Sequence, residues 1–345
     1  GPVRSRAVLM TDPVQRGRVT QAILEIDGRR LDAWAAGSAG RRLARRSAQE
    51  HIVVEGVVAP LRPAKRRRAA VRHVVGSIRI EHLTEWNSAS PLARSTTRVR
   101  RLLESGSRPL GAVDQSLYLG LVIGDDRKQP AALVRAFRGA GLGHLSAVSG
   151  QNVALMLLAA LPWLRRRRTL VRWTATVSLL AWFAALTRFE PSVLRATVMA
   201  GLAATSFALG RRASPLRLLA LAVTLLILVD PFLVWSVGFW MSVCATAGIV
   251  VGSPHLARGI RGPKWWRLAV AVTLSAHVAI APISWWVFGR EAVWALPANL
   301  AGEPAAAFVM TYGLPVGLLA GLLPRGLSPW LHGPTWLAVR WLRWV

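Results

Sequence analysis

The chain is poor in cysteine, in tyrosine and in acid. Its single cysteine, Cys244, lies inside an apolar stretch, so neither a disulfide framework nor a cysteine-based metal site can be built. The seven histidines (His51, His73, His82, His144, His255, His277 and His332) never fall into His-x-His or His-Glu-x-x-His spacing. A zinc or di-metal centre therefore lacks a local ligand set. Ser149 stands in Val-Ser-Gly rather than Gly-x-Ser-x-Gly, and no Gly-x-x-x-x-Gly-Lys-[Ser/Thr] loop occurs. A chain without these constellations reads as no enzyme, with no cofactor and no engine of its own. Asp and Glu number 16 against 44 Lys and Arg, a formal net charge of +28. The chain opens Gly-Pro-Val with no visible signal peptide and stops at Trp344-Val345, so further sequence is expected beyond both ends.

What is abundant is apolar. Hydrophobic residues make up 53% of the chain, with 16 Trp against 2 Tyr. Six apolar stretches run at roughly 148–164, 173–187, 191–210, 214–229, 231–252 and 268–288. The loops between them alternate in charge. Arg165, Arg166, Arg167, Arg168 and Arg172 follow the first stretch; Arg188 and Glu190 follow the second. Arg211, Arg212 and Arg217 follow the third, and Asp230 the fourth. Arg258, Arg261, Lys264 and Arg267 follow the fifth, and Arg290 with Glu291 the sixth. Basic loops stay in the cytoplasm, so this pattern predicts a multi-pass membrane protein whose residues 1–147 lie outside. Trp163, Trp173, Trp265, Trp266, Trp285, Trp286 and Trp294 stand near stretch ends, as an interfacial belt requires. Residues 294–304 are apolar but broken by Pro297 and Pro304, which predicts a segment that lies outside or dips back. A seventh span is expected at 305–323, before Arg325, and a further helix at 329–345.

The first part of the chain reads differently. A strand is expected at 18–26, a turn at Asp27-Gly28 and a second strand at 29–34, together a hairpin. Further strands are expected at 51–58 and 74–80, with a short helix at 41–50. Several short strands punctuated by Gly and Pro predict a small barrel or sandwich. Lys65-Arg66-Arg67-Arg68 reads as a solvated loop tip. Residues 87–116 read as a connector, with Leu92, Val99, Leu102 and Leu103 among Arg94, Arg98, Arg100 and Arg101. That is a basic amphipathic helix suited to a membrane surface. Two helical pieces too short to span follow around Gly124-Asp125-Asp126. Residues 1–147 carry 26 Lys and Arg against 12 Asp and Glu, a net of +14. A polyanion partner is one reason for such charge outside the cytoplasm, and an Arg-rich genomic composition is the other.

Residues 117–157 read LYLGLVIGDDRKQPAALVRAFRGAGLGHLSAVSGQNVALML. This run resembles the signature of the ComEC competence family, the inner-membrane DNA-uptake proteins. The pattern there is a Leu-Gly-Asp segment, a phenylalanine helix, then Ala-Gly-x-x-His-Leu-x-Ala-x-Ser-Gly leading into a span. Gly124, Asp125, Gly141, His144, Ser149 and Gly150 occupy its marked positions. Pro191-Ser192-Val193-Leu194-Arg195-Ala196 with Met199 is similar to the family's Pro-Ser-x-x-Arg-Ala-x-x-Met. Asp230-Pro231, Phe239 and Ser242 are similar to its Asp-Pro…Gly-Phe-x-x-Ser segment; Pro282 and Pro297-Ala298-Asn299 resemble its late proline motifs. The resemblance covers about 115–323, and residues 1–86 resemble the family's external OB-like domain. One departure stands out: where many members have Ser-Gly-Leu-His, this chain has Ser149-Gly150-Gln151-Asn152. Amide chemistry replaces that histidine here, or its role was never essential. The nuclease-like metallo-hydrolase domain of many members is not in this stretch of sequence.

The expected architecture is thus a polytopic α-helical membrane domain (117–345), a basic connector (87–116) and a small β-rich, OB-like external domain (1–86). The resemblance implies passage of single-stranded DNA across the cytoplasmic membrane, with DNA, the bilayer, a DNA receptor and a cytoplasmic helicase as partners; self-association is left open. A small-solute transporter with broken helices is the alternative. His144, Ser149, Gly150, Gln151, Asn152 and Arg195 are the candidates for the DNA path. Residue by residue, plainer roles compete. Ser149 suits a helix cap, Arg195 suits a side chain snorkelling to the interface, Asp230-Pro231 suits a tight turn, and His277 suits a buried, hydrogen-bonded histidine.

Overall fold

The computed structural model describes residues 2–61, 69–70, 72–88, 90–145, 149–211, 213–289, 295–324 and 327–345. It divides into two compact units, Gly1–Arg98 and Val99–Val345.

The first unit is a β-sheet. Its elements are β1 (Pro2–Leu9), β2 (Val14–Arg16), β3 (Val19–Ile26), β4 (Arg29–Ala36), α1 (Gly37–Ala44), β5 (Glu50–Pro60) and β6 (Val74–Ser88). The expected hairpin is present. Ile26 pairs with Arg29 across Asp27 and Gly28, whose positive φ angles of 49° and 72° are those a two-residue turn needs to match the right-handed twist of its strands. β1 runs antiparallel to β5 and, at Val8 and Leu9, to β3; β5 pairs antiparallel with β6, and β6 runs parallel to β4. The pairings therefore form a circuit, β1-β5-β6-β4-β3 and back to β1, with β2 attached to β3. Inside it Leu9, Leu24, Ala33, Leu43, Val54 and Ile78 are buried. Gly56 is required where the β5–β6 register slips, because a Cβ there would lie 2.1 Å from the Arg79 carbonyl oxygen. Two expectations change. The helix set at 41–50 runs from Gly37 to Ala44, because Gly37 (φ +57°) turns the chain directly out of β4. β1 was not anticipated: its exposed Arg4 and Arg6 disguise the alternation that buries Ala7 and Leu9. Lys65-Arg66-Arg67-Arg68 lies outside the described residues.

The second unit is helical. The unit division falls within α2 (Pro91–Gly106); α3 (Ala112–Ile123) and α4 (Ala131–Gly139) follow. Then come α5 (Gly150–Arg165), α6 (Thr169–Leu186), α7 (Pro191–Ala208), α8 (Pro215–Val229), α9 (Val237–Gly259) and α10 (Lys264–Phe288). The last elements are α11 (Ala295–Phe308), a π-helical turn (Val309–Gly313), α12 (Leu314–Leu322) and α13 (Ser328–Trp344). Among the described residues four helices are long and apolar enough to cross a membrane: Thr169–Leu186, Val237–Gly259, Lys264–Val287 and the continuous Ala295–Leu322. α5 and α8 occupy expected stretches with only 16 and 15 residues, about 22–24 Å against a hydrocarbon core of about 30 Å. As expected, α3 is too short to span, and it is apolar almost all round. Nine of its 12 residues are buried, as such a helix must be.

Three further expectations are corrected. The stretch at 231–252 opens as a 3₁₀ turn, Pro231–Trp235, and its α-helix runs from Val237 to Gly259. The proline-broken segment and the seventh span are one helix from Ala295. Pro297 falls in its first turn, where no intrahelical donor is needed, while Pro304 and Pro315 each withhold a donor from the ladder. The amphipathic helix exists, but residues 99–106 pack into the helical unit instead of offering an apolar face to a membrane surface. Leu103 is wholly buried, Arg100 is buried, and Gly106 lies so close to Gly317 that a Cβ would meet that carbonyl oxygen at 2.2 Å.

The helices bring the basic loops together. Gly150 at the start of α5 packs on Ala196 near the start of α7. Trp173 near the start of α6 donates to Thr205 near the end of α7, at 2.9 Å. Arg195 reaches Ser242 early in α9, and along α9 Gly248 meets Ala279 while Gly252 meets Ser275 of α10, so those two run antiparallel. Residues 165–172, Arg211, residues 213–217 and residues 258–267 thus gather at one end of the unit, while Arg188, Glu190 and Asp230 lie at the other. Arg212, Arg290, Glu291, Trp294 and Arg325 lie outside the described residues.

Candidate functional site

The motif segments meet around the C-terminus of α3. Gly124 takes φ +70° and ends the helix, with Gly124 N–H bonded to Gly120 and Asp125 N–H to Leu119. The last carbonyls of a helix need donors from elsewhere. Asn152 supplies one, donating Nδ2 to the Leu121 carbonyl at 2.7 Å. Arg100 supplies another, donating Nη1 to Ile123 at 3.1 Å and also to the Leu186 carbonyl at the end of α6, at 2.9 Å. Asp125 then neutralises that cation, 3.2 Å from Arg100 Nη2, while Arg127 holds the same carboxylate through Nε at 2.7 Å and Nη2 at 2.6 Å. The Arg100 and Asp125 side chains are 9% and 11% exposed, so this is a near-dry cluster joining α2, α3 and α6.

Above it lies a small cleft lined by Leu121, Leu145, Ser149, Asn152, Leu155 and Ala306, with Gln151 at its edge. Gln151 is exposed. Ser149 occupies the N-cap position of α5, but its side chain accepts no capping hydrogen bond, so the cap expectation fails and cleft lining stands. Gly150 is where α7 comes closest: a Cβ there would lie 3.1 Å from Ala196 Cβ and 3.3 Å from Arg195 Nη2.

Arg195 does not snorkel. It is 7% exposed, donates Nε to Ser242 Oγ at 2.9 Å and directs Nη1 to Met199 Sδ at 3.3 Å. Two motif segments 47 residues apart are therefore one contact. Among the described residues no carboxylate pairs with Arg195.

The other motif residues hold the frame. Gly141 (φ +76°) closes α4: its N–H meets Arg138 and that of Leu142 meets Phe137, with both apolar side chains buried. His144 is exposed and is not brought into the cleft. Pro191 takes the first position of α7, where its missing N–H costs nothing. Asp230 accepts from Phe232 N–H at 3.0 Å and caps the turn that Pro231 opens, as expected of a tight turn. Phe239 is 1% exposed in a cluster with Leu226 and Leu233. Pro282 lies inside α10. Asn299 is buried, and its Oδ1 has no partner among the described residues. His277 is half-buried in α10.

Sequence reasoning missed two groups. Asp114, 5% exposed, ties the start of α3 to α13 through Arg343 at 2.5 Å and Arg340 at 3.6 Å. Tyr118, fully buried, donates to the Gly313 carbonyl at 2.8 Å inside the π-turn. The signal for the first was available, since an acid within an apolar region calls for a partner.

The model of the competence-protein family matches residues 121–345, well over half of the chain. The chain belongs to the competence-protein family. With four helices able to cross a bilayer, this family member is a membrane protein. ComE operon protein 3 of Bacillus subtilis (strain 168) is 27% identical over 211 residues, 60% of this chain and 26% of that protein. An uncharacterized protein of Aquifex aeolicus (strain VF5) is 30% identical over 170 residues, 49% of this chain and 40% of that protein. The chain thus spans well under half the length of the curated relatives it matches. No solved structure matches it.

Proposed function

We propose that this competence-family chain passes single-stranded DNA across the cytoplasmic membrane during natural transformation. The observation that carries the reading is Arg195: a buried guanidinium, unpaired with any carboxylate among the described residues, beside the polar head of α5. A charge held inside an apolar helical unit without a counter-ion is costly. A passing phosphate is the counter-ion that offsets this cost, and sequence-independent strand binding needs cations placed for phosphates. Ser149, Gln151 and Asn152 would then line the path near its outer mouth, with His144 on the approach. Residues 1–86 would gather the strand outside as an OB-type domain. That reading is supported by the strand circuit, by the parallel β4–β6 pair and by α1 between β4 and β5, features in keeping with a five-stranded Greek-key barrel. A DNA receptor would deliver the strand and a cytoplasmic helicase would draw it in, since the sequence holds no nucleotide-binding loop of its own.

The test is transformation frequency in a strain carrying Arg195→Ala. Uptake should fall while the amount of protein in the membrane stays near wild type. Normal transformation would remove Arg195 from the path. Loss of the protein from the membrane would make it a packing residue and withdraw its channel assignment.

A further inference from the structure

We propose that the corner where α5 ends and α6 begins, closed by the end of α7, binds an anionic phospholipid through its phosphodiester headgroup. This inference is independent of how DNA passes. Arg165, Arg166, Arg167, Arg168 and Arg172 lie within eight residues, and the α7 end adds Arg211. No Asp or Glu occurs between Asp126 and Glu190, nor between Glu190 and Asp230, so the sequence sets no acid near these cations. Two of the guanidiniums lie over aromatic rings. Arg167 lies 4.8 Å from the Trp163 ring centre, and Arg172 lies 4.3 Å from that of Phe207 on the neighbouring helix. The Trp173–Thr205 hydrogen bond fixes α6 to α7 at the same level. A stacked guanidinium loses little further freedom on binding and keeps its N–H edges free for phosphate oxygens.

The surroundings choose the ligand. Leu170, Phe207 and Leu209, beside these cations, are 71%, 62% and 67% exposed. A phospholipid offers phosphate and hydrocarbon in one molecule, so its acyl chains cover these leucines while its headgroup meets the guanidiniums. The general bias of basic residues toward one side of the membrane accounts for the charge. It does not require an arginine seated on a ring contributed by another helix.

The experiment is native mass spectrometry of the detergent-solubilised full chain with equal amounts of phosphatidylglycerol and phosphatidylcholine of identical acyl chains. The wild type should retain phosphatidylglycerol preferentially. Phe207→Leu keeps every charge and Arg172→Lys keeps the net charge, but each breaks the inter-helix stack. Each should lower the retained ratio about two- to fivefold, the range expected for one exposed cation–π contact. Trp285→Leu, at an exposed position near the opposite end of α10, should leave the ratio unchanged. Equal retention of the two lipids by the wild type, or wild-type ratios in both stack variants, would overturn the site in favour of diffuse attraction. Displacement of phosphatidylglycerol by oligothymidine, lost in the same variants, would overturn it in favour of a nucleic acid surface.

Discussion

Asp125 and Asp126 are adjacent in sequence and opposite in consequence. Asp125 is nearly dry and shared by two guanidiniums, while Asp126 is exposed. Removing one partner of a buried ion pair leaves the other charge without compensation, at a cost of about 3–5 kcal/mol. Asp125→Ala should therefore lower the unfolding free energy of the detergent-solubilised protein by that order, with Arg100 deprived of this carboxylate. Asp126→Ala should change it by no more than about 0.5 kcal/mol. Equal effects would mean that the cluster contributes nothing. The same scale separates charge from shape at Arg195. Arg195→Lys keeps a cation but loses the planar Nε–H that reaches Ser242. If a phosphate path needs charge more than a fork, this variant should transform at a level between wild type and Arg195→Ala. A frequency equal to that of Arg195→Ala would show that the fixed geometry matters more than the charge.

At the level of elements, the fit of α3 into the long Ala295–Leu322 helix rests on one notch. Tyr118 donates to Gly313, and a Cβ on Gly317 would fall 2.1 Å from the Tyr118 hydroxyl oxygen. Tyr118→Phe should cost about 0.5–1.5 kcal/mol, the net contribution of one intramolecular hydrogen bond. Gly317→Ala should cost more, since its methyl collides with a buried ring held from behind by His332 in an edge-on contact at 5.9 Å. In the double variant the oxygen is gone and the nearest atoms to the new Cβ stand at 3.1 Å. Its destabilisation should be clearly smaller than the sum of the two singles, read from the same unfolding measurement; strict additivity would exclude the notch. Such a contact is invisible in the sequence because its members stand 195 residues apart. What was legible was local. Apolar runs located α5 to α8 within a few residues, and Asp27-Gly28 located the β3–β4 hairpin. The start of α11 was misread because a proline in a first turn looks the same in sequence as one that breaks a helix. Ser149, Gln151 and Asn152 were legible as polar groups at the head of an apolar run. The donation from Asn152 to Leu121 was not, since it depends on where α3 ends in space.

For the whole molecule, the charge alternation along the chain becomes a separation in space. Arg165 to Arg168, Arg211, Arg258 and Lys264 occupy one end of the helical unit, and Asp230 the other. Opposite ends of helices that cross a bilayer face opposite compartments, and the basic end should face the cytoplasm. The critical element is α5. Neither α3 nor α4 is long enough to span, at 12 and nine residues, so among the described residues between Gly106 and Arg168 only α5 can carry the chain across. With 16 residues it does so only if the bilayer thins around it or if its polar head sits in a wet recess. The exposed Gln151 at that head favours the recess. Compartment reporters fused after Gly106, Arg168, Gly210 and Asp230 should therefore read outside, inside, inside and outside. Agreement between the Gly106 and Arg168 fusions would mean that α5 turns back without crossing. The polar head of α5 and Arg195 would then lie on the cytoplasmic side, and the proposed outer mouth of the path would have to be placed elsewhere.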